Sequence, residues 1–103
     1  MAESEEGGGI AVQEGKTRLS EPPKFAVLLL NDDYTTMEFV LEVLRKFFRK
    51  TPEEAMEIML RVHHEGRGAA GVYSHEIAET KVAQVESHAR SHGFPLRCTI
   101  EPA

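Results

Sequence analysis

The chain has 103 residues, a formal net charge of −5 and a single cysteine. This length limits it to one small domain, the charge lacks the basic surplus typical of nucleic-acid binding, and one cysteine excludes an internal disulfide. No apolar run approaches the roughly 20 residues that span a bilayer, and the acidic, glycine-rich start of the chain is unlike a signal peptide. We therefore expect a cytoplasmic protein with no membrane or nucleic-acid partner.

The first 21 residues differ in composition from the rest of the chain. They contain three consecutive glycines at 7–9, five glutamates and no aromatic residue. Such a segment cannot bury enough apolar surface to offset the entropy of ordering. We expect a disordered tail over residues 1–21 and one folded domain over residues 22–103.

The first half of the predicted domain is a strand followed by two helices. Residues 24–30 form an apolar strand, and 31–36 form a polar loop. A first helix is predicted over 36–50, with Thr35 as its N-cap, because apolar residues recur at helical spacing: Met37, Val40, Leu41, Leu44, Phe47 and Phe48. A second helix begins after Thr51 and ends at Gly66, with an apolar face of Ala55, Ile58, Met59 and Val62.

The second half is predicted as a strand, a helix and a final strand. The glycine-rich stretch 65–71 is predicted to be a loop and 72–77 a strand, with a helix that begins at Ser74 as the competing interpretation. A third helix over 78–92 ends at Gly93, and alternation over 96–101 indicates a half-exposed strand. The order β-α-α-β-α-β predicts an α+β fold, a three-stranded antiparallel sheet packed against three helices.

The loop after the first strand combines negative charge with a nearby apolar surface. Asn31, Asp32 and Asp33 end the strand, and Met37 and Val40 follow in the first turns of a helix. This pattern suits a ligand with a cationic head and an apolar body, such as an unblocked protein N-terminus with a bulky first residue. The alternative is that the acids only cap the helix, since Asn and Asp are favoured there.

A histidine beside the apolar face of the second helix is a further candidate. Neutral His63 can accept a hydrogen bond from an ammonium group if its helix packs near the acidic loop, and otherwise it is structural. His88 and His92 stand at i, i+4 but lack a third metal ligand, and Cys98 has no evident base. These residues therefore favour neither a metal site nor nucleophilic catalysis.

Five segments of the chain together resemble the ClpS adaptor family. They are LNDDYTTMEFV at 30–40, MLRVH at 59–63, GVY at 71–73, AETKVA at 78–83 and PLRCT at 95–99. They occur in the family's order and spacing over essentially all of residues 22–103. The sequence departs from the family pattern at Thr36, where many members have proline, which predicts a looser loop before the first helix.

The resemblance implies a bacterial adaptor of the N-end rule pathway. Such proteins bind substrates that begin with Leu, Phe, Tyr or Trp and deliver them to the ClpA unfoldase of the ClpAP protease. In the family the α-amino group is held by residues that match Asn31, Asp33 and His63, with Asp32 adjoining. The hydrophobic pocket is lined by residues that match Thr35, Met37, Val40, Met59, Val62 and Leu96.

The resemblance also implies a second surface and a mode of delivery. Residues that match Glu76, Glu79 and Lys81 contact the N-terminal domain of the unfoldase, and the tail assists delivery. It further implies a monomer that holds no metal or cofactor and performs no chemistry itself, and hence a protein that is not an enzyme. Two alternatives remain open: a module that docks on the unfoldase without holding an N-terminal residue, and a small metal-dependent hydrolase.

Overall fold

The structure, a computed structural model, describes residues 22–103, and the tail predicted to be disordered lies outside the described residues. One antiparallel sheet of order β2-β1-β3 is combined with three helices. The elements in chain order are β1 (Phe25–Leu30), α1 (Met37–Phe48), α2 (Pro52–Glu65), β2 (Arg67–Tyr73), α3 (His75–Ser91) and β3 (Arg97–Pro102). The predicted α+β fold and element order are confirmed.

The central strand β1 is apolar throughout because both of its edges are paired and one face forms the core. Val27 and Leu29 are fully buried and belong to the main core cluster with the three helices. Complete burial of a side chain of this size contributes about 1.5–3 kcal/mol.

None of the helices within residues 22–103 has the length and apolar content that crossing a bilayer requires.

Helix α1 begins one residue later than the sequence predicted. The hydroxyl of Thr35 donates to the carboxylate of Asp32 at 2.7 Å, so it does not cap the helix. The N-cap is Thr36, whose hydroxyl oxygen accepts from the backbone N–H of Phe39 at 3.1 Å. Thr36 has a φ of −74°, close to the value that proline imposes, and its hydroxyl supplies a cap that proline lacks.

The buried stripe of α1 is also displaced from the predicted one. Its buried residues are Phe39, Val40, Val43, Leu44 and Phe48. Met37 was predicted in this stripe, but its side chain is 47% exposed. The helix ends at Phe48, because Arg49 takes a left-handed conformation with φ of 55°. Met37 is therefore available at the protein surface.

Helix α2 matches its prediction closely. Thr51 and Glu54 form a reciprocal capping box, Pro52 follows the cap, and Gly66 ends the helix with φ of 90°. The predicted apolar face is buried as a whole. The signals for this helix are local, so the sequence alone was sufficient to place it.

The predicted positions of the second strand and of the loop before it were wrong. The loop predicted at 65–71 is mostly β2, and residues 74–77 belong to the N-terminus of α3. Small residues occupy the buried positions of β2 because α2 packs directly on them. A Cβ on Gly68 would lie 3.0 Å from Val62 Cγ2 and 3.4 Å from the carbonyl oxygen of Ile58. Hydropathy gives little signal for such a strand.

Helix α3 begins where the competing interpretation placed it. Ser74 is its N-cap and accepts from the N–H of Ile77 at 3.4 Å. The chain leaves α3 through Gly93, which has a φ of 81°, and then forms β3 along the second edge of β1. The last predicted strand is thus confirmed to within one residue at each end.

Candidate functional site

A cavity of about 260 Å³ lies at the C-terminal end of β1, between the loop 31–36 and the facing ends of α1 and α2. It brings together nine of the ten residues that the sequence assigned to ligand binding: Asn31, Asp32, Asp33, Thr35, Met37, Val40, Met59, Val62 and His63. Loop residues and His63 supply its polar groups, and two helices supply its apolar floor.

The end of α2 is fixed beside the loop by the sheet and one backbone hydrogen bond. Leu30 pairs with Arg67 in the β1–β2 register, so the chain leaving β1 meets the chain leaving α2. The N–H of Asn31 donates to the carbonyl of Gly66 at 2.9 Å. His63 lies one helical turn before Gly66 and lines the cavity, so this contact fixes the helix end that carries its imidazole.

Asp32 stabilises the conformation of the loop through hydrogen bonds to neighbouring loop residues. One of its carboxylate oxygens accepts from the N–H groups of Tyr34 and Thr35 at 2.8 and 2.7 Å, and the other accepts from the hydroxyl of Thr35 at 2.7 Å. Partial burial raises the pKa of Asp32, but these hydrogen bonds and the guanidinium of Arg90 outweigh it, and the net pKa is lowered. Asp33 is exposed and outside this network, so the two adjacent acids have different surroundings.

We predict that Asp32→Asn destabilises the protein at neutral pH by about 1–2 kcal/mol, because the amide has one acceptor oxygen where the carboxylate has two and carries no charge to strengthen the remaining hydrogen bonds. A carboxyl group with a lowered folded-state pKa stabilises the fold above its ordinary value of 3.8 and loses that contribution as the pH falls through the folded-state pKa. The deficit should therefore shrink in acid. Urea denaturation of both proteins at pH 7 and pH 3 measures it, and an equal deficit at both pH values would contradict this role.

The apolar part of the cavity has a buried floor and an exposed lip. Val40, Met59 and Val62 are buried in the floor, whereas Met37 is 47% exposed although it lines the same cavity. Leu96, the tenth predicted residue, is not brought to the cavity. It is only 1% exposed and belongs to the main core.

The three residues assigned to unfoldase contact lie at the other end of the sheet. They follow Tyr73, which pairs with Phe25 at the start of β1, whereas the cavity adjoins Leu30 at its end. Strand β1 has six residues and therefore separates the two sites by roughly 17 Å. Glu76 and Glu79 are exposed.

Lys81 is half-buried and already has intramolecular partners. Its ammonium donates to the carbonyl of Phe47 at 2.7 Å and lies 5.6 Å from the ring centroid of Tyr73. A cation beside the C-terminal carbonyls of α1 stabilises that helix end. Lys81 therefore also ties α3 to α1, a role that its spacing in the sequence did not reveal.

Other chemically active side chains have structural partners. His88 Nε2 lies 3.1 Å from a carboxylate oxygen of Glu42, and its ring stacks on Phe39. Burial and the charge of Glu86 raise the pKa of Cys98 to about 12. Within residues 22–103 no group of three or more His, Cys, Asp or Glu side chains is placed to hold a metal ion.

The fold and cavity define a small α+β binding domain whose site pairs a polar loop with an apolar floor. A family model described as "ATP-dependent Clp protease adaptor protein ClpS" matches residues 20–99, and the chain belongs to this family. It is accordingly a bacterial adaptor of a Clp protease and not an enzyme.

Curated relatives match most of the chain. The ATP-dependent Clp protease adapter protein ClpS of Caulobacter vibrioides is 52% identical over 107 residues, covering 98% of each chain. That of Deinococcus radiodurans is 58% identical over 84% of this chain and 77% of its own. Among solved structures, Agrobacterium tumefaciens ClpS2 bound to L-phenylalaninamide matches with a TM-score of 0.77 and 38% identity, over 81% of this chain and all of that one.

Proposed function

We propose that this adaptor binds the free N-terminus of substrates that begin with Leu, Phe, Tyr or Trp and delivers them to the ClpA-type unfoldase of ClpAP in the cytoplasm. The observation that carries the proposal is the convergence of loop acids, an amide, an imidazole and an apolar floor on one cavity. The A. tumefaciens relative, bound to L-phenylalaninamide, supports it, because that ligand combines a free amine with an aromatic side chain.

The polar side of the cavity suits an ammonium group. Asn31 and His63 offer neutral acceptors, and Asp33 offers a carboxylate outside the loop network of Asp32. An ammonium group has three N–H donors, and hydrogen bonds that involve a charge are roughly twice as strong as neutral ones. Acetylation removes the charge and leaves a single N–H, so an acetylated terminus forfeits most of this interaction.

The size and lining of the cavity suit one bulky side chain. An apolar cavity of roughly 150 Å³ is sufficient to bind benzene in another protein. A volume of about 260 Å³ therefore has room for an aromatic or leucine side chain together with its amine. Burial of such a side chain contributes about 1.5–3 kcal/mol, and a small or charged first residue gains less. The adaptable side chain of Met59 in the floor fits several shapes.

The separation of the two sites suits delivery. Glu76 and Glu79 are exposed at the start of α3, at the opposite end of β1 from the cavity. An adaptor that acts as a monomer can then hold a substrate and contact the unfoldase at the same time. We assign unfoldase contact to this surface, with Lys81 beside it.

The proposal is tested with paired substrates that differ only in their α-amino group. A fluorescent Phe-initiated peptide should bind with micromolar or tighter affinity in a polarisation titration, and its acetylated form should bind at least about 50-fold more weakly. In a ClpAP degradation assay only the free-amine protein substrate should be degraded faster when the adaptor is added. Equal affinities would exclude recognition of the amine, and no binding of either peptide would favour the docking-module alternative.

A further inference from the structure

The C-terminal end of α1 has a basic cluster of four side chains. They line one open groove on the surface of this helix: Arg45, Lys46, Arg49 and Lys50. The first three are exposed and the last is half-buried. Stabilisation of the helix end by cations does not account for all four, because Lys81 already donates to the carbonyl of Phe47 there.

The acids of the domain do not neutralise this basic cluster. None of its four cations forms an ion pair with an acid within residues 22–103. Two acids line the same groove, but Glu42 already lies 3.1 Å from Nε2 of His88, and Glu38 lies more than a helical turn before the cluster. The groove therefore has an excess of positive charge, which suits an anionic partner.

The chain itself contains a segment of the opposite charge. Residues 1–21 include five glutamates, and three of these lie together at positions 3, 5 and 6. The two cations of the tail, Lys16 and Arg18, lie nearer to the domain, so segment 3–6 has only negative side-chain charges. Because this segment is covalently attached to the domain, its effective concentration at the domain surface is high, up to the millimolar range for short linkers.

The tail joins the domain at the same end of the sheet as the basic cluster. Phe25, the first residue of β1, pairs with Tyr73. The ring centroid of Tyr73 lies 6.4 Å from that of Phe48, the last residue of α1, and Arg49 follows directly. The linker 7–21 can span up to roughly 50 Å, so segment 3–6 can reach the cluster.

We propose that the acidic segment 3–6 of the tail binds the basic cluster at the end of α1. The contact is electrostatic and is therefore weakened by salt. It places the start of the chain beside Lys81, on the surface assigned to the unfoldase, and at the opposite end of β1 from the cavity. The contact does not depend on the proposed function, and capture of a peptide in the cavity does not require it.

Carbodiimide cross-linking of the full chain tests the contact, because this reagent joins a carboxylate to an amine only where the two groups touch. Cross-links from segment 3–6 to Lys46 or Lys50 are expected in the monomer, and mass spectrometry locates them. The double variant Arg45→Gln, Arg49→Gln keeps both amines but halves the charge of the cluster. Its cross-linking yield should fall by about threefold, and salt at roughly 1 M should lower the yield of the unmodified chain similarly.

The control is Arg61→Gln, Arg97→Gln, which removes the same charge from two exposed positions elsewhere and should leave the yield unchanged. Absence of these cross-links, or equal yields in the two double variants, would overturn the proposal. A cross-link found only in dimers would assign the cluster to the tail of a second copy and would also overturn it.

A second measurement uses the backbone amide NMR shifts of residues 45–50 in the full chain. They should move in the triple variant Glu3→Gln, Glu5→Gln, Glu6→Gln, because the acids that contact the cluster are then neutral. Unchanged shifts would overturn the proposal. Shifts that move only when the N-terminal domain of the unfoldase is added would assign the cluster to that partner instead.

Discussion

His63→Ala and Asp33→Ala are each expected to weaken binding of a Phe-initiated peptide by about tenfold or more, because each removes a proposed hydrogen-bonding partner of the ammonium group. Both residues line the cavity, and both are exposed, so neither change disturbs the core. Asp33→Asn keeps an acceptor oxygen but loses the charge, and its effect should be intermediate. Polarisation titrations of the three variants against one peptide measure these differences.

The chain offers a matched control for each position. His64 is the adjacent exposed histidine and is absent from the cavity lining, so His64→Ala should leave peptide affinity unchanged. Asp32→Asn acts through the loop, and its effect should appear in unfolding as well as in binding, whereas Asp33→Ala should alter binding alone. Unchanged affinity in both His63→Ala and Asp33→Ala, or equal losses in His63→Ala and His64→Ala, would remove the proposed amine site.

The fold was predictable because its signals are local. The capping residues of α2, the apolar run of β1 and the glycines after α2 and α3 each determine a few neighbouring φ and ψ angles. The proximity of His63 to the acidic loop could not be predicted in the same way, because the spacing of these residues in the sequence does not determine it. It depends on the β1–β2 register and on the hydrogen bond from Asn31 to Gly66, which are properties of the folded chain.

The errors arose where tertiary contacts override local preference. Gly68 and Ala70 occupy buried strand positions, and at Gly68 even a Cβ would lie 3.0 Å from Val62 of α2, so a strand built from small residues was interpreted as a loop. Thr35 and Thr36 are equivalent as caps by residue type, and the carboxylate of Asp32 decides between them. Hydropathy likewise predicts that Met37 and Leu96 lie on apolar faces. It does not show that Met37 is at the lip of the cavity and Leu96 in the core.

Met37 is the side chain expected to determine which first residues are accepted. It lines the cavity while 47% exposed, which places it at the lip, whereas Met59 lies buried in the floor. A Val or Ile side chain branches at Cβ, next to the peptide backbone, and is therefore wide at the level of the lip. Leu and Phe are slender at Cβ and broaden only at depth. The lip should thus exclude branched residues that the floor has room for.

Met37→Ala is accordingly expected to raise affinity for Val- and Ile-initiated peptides relative to a Leu-initiated one by about tenfold, the usual scale for steric discrimination in an apolar pocket. Peptides that differ only in their first residue measure this ratio. Met59→Ala provides the contrast: loss of floor contacts should weaken binding of Leu and Phe without admitting Val or Ile. A first-residue ratio that Met37→Ala leaves unchanged would show that exclusion of branched side chains resides elsewhere in the cavity.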